Sequence, residues 1–476
     1  MIGYLLGIIL TIEAALLLLP AAVAAGSKES VLPYLITIGI ILVFSVPAII
    51  FKPKNRQIYT KEGFVTVAIG WILLSLFGAL PFLFSGAIPN YIDALFETIS
   101  GLTTTGASIL TDIEALPRGI LFWRSFTHWI GGMGILLFML AILPSSGNSA
   151  IYLMKAEVPG PTKGKLVPKM RKTALILYGI YISLTLLEAV ILCFCGLPLY
   201  DAAVNAFATA GTGGFSVLNA SISGYANPAA EWVIAVFMFI FGVNFNLYFF
   251  LLIGNLRDIF KNEEFRAYVL ICLASVTMIA INTASLFDGK IGDCIRTAFF
   301  QVTSIMSTTG FATADFNTWP AFSKAIILIL LLFGACAGST AGGLKISRVL
   351  ILFKSIAREI RHILHPRSVN VIRLDGKVVP DETVRAANNY LIIYFVIILT
   401  SFLAVSLGGG TFETNLTAVL TCVNNVGPGF GDIGPAGNFA AFSLLSKLIL
   451  SADMLIGRLE IIPLLVLFSP STWKQH

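Results

Sequence analysis

Hydrophobic stretches close to the length a helix needs to cross a bilayer recur at residues 2–24, 31–51, 64–84, 119–143, 174–196, 232–253, 267–286, 325–355, 389–407 and 439–468. They predict ten spans, the eighth interrupted. Between them lie four runs of roughly a dozen moderately apolar residues, too short to span, each ending in small and hydroxylic residues. The endings read Thr103-Thr104-Thr105-Gly106, Gly211-Thr212-Gly213-Gly214, Ser307-Thr308-Thr309-Gly310 and Asn424-Asn425-Val426-Gly427. A hydrophobic helix follows each one. Irregular backbone cannot face lipid, because its N–H and C=O groups go unsatisfied there. At membrane depth it is tolerated only where it is buried in protein or lines a wet path. Four such segments in one chain predict loops that enclose a path, the arrangement of an ion selectivity filter.

After two leading helices (1–55), the order helix, re-entrant loop, helix occurs four times, over 56–172, 173–262, 263–372 and 373–476. The loop glycines Gly106, Gly214, Gly310 and Gly427 stand 108, 96 and 117 residues apart. A gapless alignment on them puts Ser100, Ala208, Ser304 and Thr421 in one column, all small. Internal repeats of this kind imply units arranged around a common axis. The fold class is therefore an all-α membrane protein with four pseudo-repeats around a central pore.

Charge fixes the orientation. Only 12% of the 476 residues are charged and 57% are hydrophobic, with a mean hydropathy of +0.89; soluble chains carry about a quarter charged residues. If ten spans alternate, 23 of the 31 Lys and Arg fall on one side, in the segments Lys52–Lys61, Lys155–Lys172, Arg257–Arg266 and Lys345–Arg385, and at Lys474. By the positive-inside rule that side is cytoplasmic, and both termini lie there. The alternation fails if the four short segments cross the membrane, so they dip in from outside and return.

Glycine suits loops that aim successive carbonyls at an ion, and hydroxyl neighbours add oxygen ligands for an alkali cation. The candidate ion-binding residues are Thr104, Thr105 and Gly106; Thr212, Gly213 and Gly214; Thr308, Thr309 and Gly310; and Asn425, Val426 and Gly427. Asp93, Asp201, Asp293 and Glu413 stand at the starts of the short helices and are expected as N-caps. The helix C-termini then point at the pore and favour a cation.

In the eighth span, Ala325–Gly334 runs into Ala335-Cys336-Ala337-Gly338-Ser339-Thr340-Ala341-Gly342-Gly343 before helix resumes near Leu344. Residues Gly338, Ser339, Thr340, Ala341, Gly342 and Gly343 are read as a flexible obstruction beneath the filter, with close helix packing as the alternative. The last span carries Lys447, Asp453, Arg458 and Glu460. Intramembrane charges face protein or water. Arg458 either raises a barrier in the cation path or forms a structural ion pair.

Other chemistry is not supported. Gly160–Leu166 resembles a phosphate loop but is one residue short between its glycines, and it reads as a basic linker. His128 at the head of a helix, His362, His365 and His476 have no metal-ligand spacing, and the six cysteines read as small buried hydrophobes. The first apolar segment lacks a basic n-region and is expected to be a retained helix. No paired acid and base, Ser/His pair or metal cluster suggests an enzyme, and nothing points to nucleic acid.

Three motifs carry a resemblance: Asn424–Gly431, Ala337–Gly343 and Ile456-Gly457-Arg458-Leu459-Glu460. With Pro159–Thr162 and its basic sequel, they make nearly the whole chain similar to the TrkH/KtrB family of bacterial potassium transporters, and the two leading helices resemble the TrkH branch. The resemblance implies a homodimer with one pore per subunit in the bacterial cytoplasmic membrane, in contact with membrane lipid. It also implies that the 338–343 loop and Arg458 act as gates. It further implies a cytoplasmic ring of TrkA-type subunits. That ring, not this chain, would bind the nucleotide cofactor (NAD or ATP/ADP); K+ is the transported ion. Gly211 departs from the family, where a hydroxylic residue is common. The alternative function is a symporter coupling K+ to H+ or Na+.

Overall fold

The computed structural model describes residues 1–51, 53, 60–134, 170–368 and 370–473. The expectations for Lys52, Lys54, Arg56, 135–143, Lys155–Lys169, the phosphate-loop look-alike, Pro159–Thr162, Lys474 and His476 lie outside these residues.

Six helices among the described residues are long and apolar enough to span a membrane: Ile2–Gly26, Leu32–Ile50, Lys61–Phe84, Lys172–Phe194, Glu263–Phe287 and Asp381–Ser406. The two leading helices pair closely, since a Cβ at Gly7 would meet Ala48 Cβ at 2.8 Å. Four shorter helices, Tyr91–Leu102, Leu199–Gly211, Ile291–Met306 and Phe412–Asn424, occupy the four expected re-entrant positions. At 1.5 Å per residue the longest reaches only about 24 Å, short of the bilayer's hydrocarbon core.

The expected acid caps are displaced. Asn90 accepts from Ile92 N–H and Thr411 from Thr414 N–H, while Pro198 and Lys290 precede the other two helices. Asp93, Asp201, Asp293 and Glu413 sit inside the first turn instead, where a carboxylate still favours the helix dipole. Two of them hold ion pairs there: Asp93 with Lys447 at 2.7 Å and Asp293 with Arg296 at 2.8 Å.

The helix after each re-entrant loop does not run straight through. Arg118–Met133 ends at Gly134, φ 75°. Pro228–Phe241 and Phe245–Leu252 meet at 94°, where a single span over 232–253 was expected. Gly242 ends the first piece, and the Asn244 side chain caps the second through Asn246 N–H at 2.9 Å. The last helix also breaks within its expected 439–468 span. Leu444–Arg458 and Ile462–Phe468 are separated by Glu460 and Ile461 at φ 55° and 68°. Only the third interruption was expected. Ala321–Leu332 and Ile346–Leu364 flank the non-helical residues 333–345, within two residues of the sequence reading.

The basic connection between the third and fourth repeats is not a plain loop. Arg373–Leu374 and Lys377–Val378 pair as an antiparallel hairpin. The Asp375 carboxylate at its turn accepts from Glu263 N–H at 2.7 Å, which ties the connection to the first helix of repeat three. All six cysteines are unpaired.

Candidate functional site

The four short helices end identically. Thr104, Thr212, Thr308 and Asn425 take left-handed backbone, φ 58°, 56°, 57° and 55°. The next N–H then reaches back five residues: Thr105 to Ser100 O at 2.8 Å, Gly213 to Ala208 O at 2.9 Å, Thr309 to Ser304 O at 2.8 Å and Val426 to Thr421 O at 2.9 Å. The aligned column of small residues is thus one acceptor used four times. This is a Schellman-type cap, whose left-handed position ordinarily takes glycine. Holding a residue with a Cβ there costs about 1–3 kcal/mol. Three threonines and an asparagine in that place point to a use for their side-chain oxygens. The loop glycines follow, again at positive φ: Gly106 80°, Gly214 77°, Gly310 84° and Gly427 95°.

These glycines close a ring. A methyl group on Gly106 would collide with the carbonyl of Gly213, one on Gly214 with that of Thr309, and one on Gly310 with that of Val426. One on Gly427 would come within 2.6 Å of Thr105 O. Each repeat's glycine therefore lies against the carbonyl just before the next repeat's glycine, and the fourth returns to the first. A second ring lies outside the first. Ile113 N–H donates to Asn219 Oδ1 at 2.7 Å, Ala312 N–H to Ser221 Oγ at 3.2 Å, Gly431 N–H to Asn317 Oδ1 at 3.1 Å, and Phe439 N–H to Ser108 O at 2.8 Å. Between the two rings is an open cavity of about 170 Å³, onto which all four loop glycines face. Four helix C-termini converge on the inner ring, so its partial charge is negative and suits a cation.

A polar column nine residues before the glycines braces three of the loops. Glu97 accepts from Ser108 Oγ at 2.9 Å and Ile109 N–H at 3.0 Å and pairs with buried Arg124 at 2.6 Å. Arg124 in turn donates to Ser216 O at 3.0 Å and lies 3.5 Å over the Phe215 ring. Asn205 donates to Tyr225 Oη at 3.0 Å and Gln301 to Ala314 O at 3.1 Å. None of these ties was read from sequence, although Glu97 and Arg124 are charges within apolar surroundings.

His128 was also missed. It sits well inside the Arg118–Met133 helix, not at its head, and is buried. Its Nδ1 donates to Gly101 O at 2.7 Å, which leaves Nε2 to accept from Phe215 N–H at 3.3 Å. The ring fills the space beside Gly213 that a side chain would need. Repeats one and three use a hydroxyl pair there: Thr103 with Thr105 at 2.8 Å and Ser307 with Thr309 at 2.7 Å. Gly211 is explained by contact, since Gly132 packs on it and a Cβ at Gly132 would lie 2.7 Å from Gly211 Cα. The layer of Thr103, Ser307 and Asn424 is bonded to protein, so the departure at Gly211 removes no free hydroxyl from the ring.

The 333–345 loop lies against the ring on the side opposite the cavity. Its ends are drawn together by Gly334 N–H to Leu344 O at 2.9 Å. One buried carboxylate oxygen, Glu264 Oε1, accepts from both Ala337 N–H at 2.8 Å and Ser347 N–H at 2.9 Å. The break at 242–244 receives the loop: Cys336 N–H donates to Gly242 O at 3.1 Å, and Gly338 O accepts from Phe245 N–H at 3.0 Å. Ser339 Oγ bonds Cys336 O at 2.7 Å, Lys345 Nζ holds the carbonyls of Ala341 and Gly342, and Gly343 takes φ 70° against Gly334.

The ring and the 333–345 loop touch directly. Gly342 N–H donates to Thr308 Oγ1 at 2.8 Å. Arg458 Nη1 donates to Thr340 O at 2.7 Å and to Thr104 Oγ1 at 3.2 Å, while Nη2 reaches the carbonyls of Gly132 at 2.8 Å and of Gly131. Glu460, two residues on, pairs with Arg348 at 2.5 Å, and Asp453 accepts from Ser401 Oγ at 2.7 Å. The structure thus brings every predicted filter and gate residue into one assembly.

A mostly helical chain with several apolar spans, and with four short helices whose terminal loops close a ring, has the architecture of a membrane transporter. The chain belongs to the TrkH family, described as cation transport protein, whose profile matches residues 34–475. This is a family of transporters, not of enzymes. The chain is 39% identical over 442 residues to the Trk system potassium uptake protein TrkH of Salmonella typhimurium, covering 90% of each. It is 34% identical to TrkH of Vibrio parahaemolyticus, covering 98% of each. The crystal structure of the potassium transporter TrkH from Vibrio parahaemolyticus superposes with a TM-score of 0.90 at 32% identity, covering 99% of each chain.

Proposed function

We propose that this chain is the membrane pore of a bacterial Trk-type potassium-uptake system and passes K+ by channel-like permeation. One observation carries the reading: the closed ring of Gly106, Gly214, Gly310 and Gly427 at the convergent ends of four helices. Relatives named as potassium uptake proteins support K+ as the ion. Thr104, Thr105, Thr212, Gly213, Thr308, Thr309, Asn425 and Val426 supply the remaining filter ligands. The loop Gly338–Gly343 and Arg458 gate the inner side.

The pore works as a homodimer in the cytoplasmic membrane, with four repeats after a leading helical pair and both termini cytoplasmic. A TrkA-type ring, carrying NAD or ATP/ADP, docks on the basic face and controls opening. The chain itself carries no cofactor in this reading.

The test is the reversal potential of purified protein in planar bilayers. A K+-selective pore reverses near the K+ equilibrium value, about 59 mV per tenfold gradient, and is indifferent to Na+ and pH gradients. A potential set jointly by K+ and either H+ or Na+ would establish the symporter instead.

A further inference from the structure

The threonines in left-handed backbone face a conflict between two uses. Their hydroxyl oxygens, with the Asn425 amide oxygen, are the innermost ligands the ring can offer a cation. In this structure the gate already engages them. Thr308 Oγ1 accepts the N–H of Gly342, and Thr104 Oγ1 accepts from the Arg458 guanidinium. Gly342 also sits so close to the fourth loop that a Cβ there would lie 2.6 Å from Asn424 O and 3.0 Å from Asn425 Oδ1. Three of the four repeats thus present their innermost oxygens to the gate. The remaining oxygen of the four, Thr212 Oγ1, is turned onto its neighbour's carbonyl, Gly211 O, at 2.6 Å.

From this geometry we infer that the gate closes by occupying the filter's innermost oxygen layer, so that a dehydrated alkali cation in that layer and the closed gate exclude one another. The inference rests on the filter reading above and adds its regulation. A cation at those oxygens would sit beside the guanidinium bonded to Thr104 and in the place where the Gly342 amide points. Both are positive ends of dipoles or charges, and neither can share a hydroxyl's lone pairs with K+ at bonding distance without repulsion. Exclusion is reciprocal by linkage: if closing expels the ion, ion occupancy must favour opening by the same factor. The strained backbone has the same origin, because only a side chain with oxygen can serve ion and gate in turn. K+ supply on the outer side then biases the gate with no separate sensor.

The experiment is hydrogen–deuterium exchange of the full-length protein in nanodiscs, following the peptide that covers 333–345. K+ is titrated against N-methylglucamine at constant ionic strength, with Na+ as comparison and the K+ shift in melting temperature recorded alongside. Competition predicts that K+ accelerates exchange of this loop and saturates. At K+ ten times the site's dissociation constant the closed-to-open ratio falls about elevenfold. Thr308→Val should raise exchange without K+ and cut the K+ response at least threefold, while Thr308→Ser, which keeps the hydroxyl, retains it. Loop exchange that is unchanged or slowed by K+, in protein whose melting temperature rises specifically with K+, overturns the competition and leaves the filter reading standing. Absence of any K+-specific thermal shift overturns both.

Discussion

Replacing Arg458 with alanine separates the two roles open to it. Its four acceptors fall into two groups. The Gly131 and Gly132 carbonyls and Thr104 Oγ1 lie on the first repeat, whereas Thr340 O is on the 333–345 loop proposed as the gate. A hydrogen bond from a charged donor contributes about 1.5–3 kcal/mol net. Loss of the Thr340 bond alone therefore shifts the closed-to-open balance about 10- to 150-fold toward open. The charge adds a second effect. A cation roughly 6 Å from the guanidinium is repelled by about 3 kcal/mol at an effective dielectric of 20, and water in the path leaves ~1–2 kcal/mol of barrier. Both terms have the same sign, so Arg458→Ala should raise Rb+ uptake into liposomes at least tenfold when no cytoplasmic partner is present. Arg458→Lys keeps the charge and a donor for Thr340, and should stay within a few fold of the parent. The bonds to Gly131 and Gly132 also support the fold, so uptake is expressed per folded protein with the melting temperature measured beside it. Unchanged or slower uptake by the alanine variant at near-normal melting temperature would refute the gate and leave a structural arginine.

Gly310→Ala places a Cβ at φ 84° against Val426 O and 2.8 Å from Pro428 Cδ; the ring should distort and the K+ over Na+ preference in reversal potentials should weaken, and an inserted variant with unaltered preference would argue against the filter. Deleting part of 338–343 should raise K+ flux even without the cytoplasmic ring, whereas reduced flux with normal insertion supports packing as the loop's purpose. Glu264→Ala leaves two buried N–H groups without their acceptor, about 1–3 kcal/mol each, and should loosen the loop and increase basal flux. Glu264→Gln retains a carbonyl oxygen for both and should change little in the same flux assay. Reversing the exposed Arg361, Arg367 and Arg385 should weaken co-purification with a nucleotide-binding ring subunit while the reversal potential stays fixed; undiminished binding would mean that these charges only orient the chain.

Much of this assembly is legible in the sequence because lipid removes alternatives. A Thr/Gly segment after a dozen apolar residues has few places to go in a bilayer, and four of them in register leave a ring. The column of Ser100, Ala208, Ser304 and Thr421 stood out in the sequence only as small residues in register, and it proved to be the acceptor of the same cap bond in all four repeats. The broken third inner helix was legible for a related reason: five glycines and small polar residues from Gly338 to Gly343 cannot hold a span.

The breaks at 242–244 and 459–461 were hidden because hydropathy averages over them. Gly242-Val243-Asn244 carries a helix stop and a helix cap side by side, a local signal that an apolar window of twenty residues dilutes. Their purpose is also non-local. The carbonyl of Gly242 and the N–H of Phe245 are freed only because Cys336 and Gly338, nearly a hundred residues on, arrive to satisfy them. The same holds for His128, Glu97 and Glu264, whose partners lie 11 to 87 residues away. No periodicity encodes such pairings, and a lone buried polar residue in an apolar helix reads the same whether it braces a loop or binds nothing. Its cost in a low-dielectric interior nevertheless demands partners. A polar residue that recurs at one repeat position therefore deserves to be read as a brace: Glu97, Asn205 and Gln301 share a register nine residues before the loop glycines, and each ties its descending helix to chain beyond the ring. The fourth repeat has Ala418 in that register, and the neighbouring Thr417 takes over, accepting from Phe430 N–H at 3.0 Å. The ring is thus held from behind in all four quadrants by different chemistry at one level, so its oxygens are fixed by contacts that do not involve the 333–345 loop.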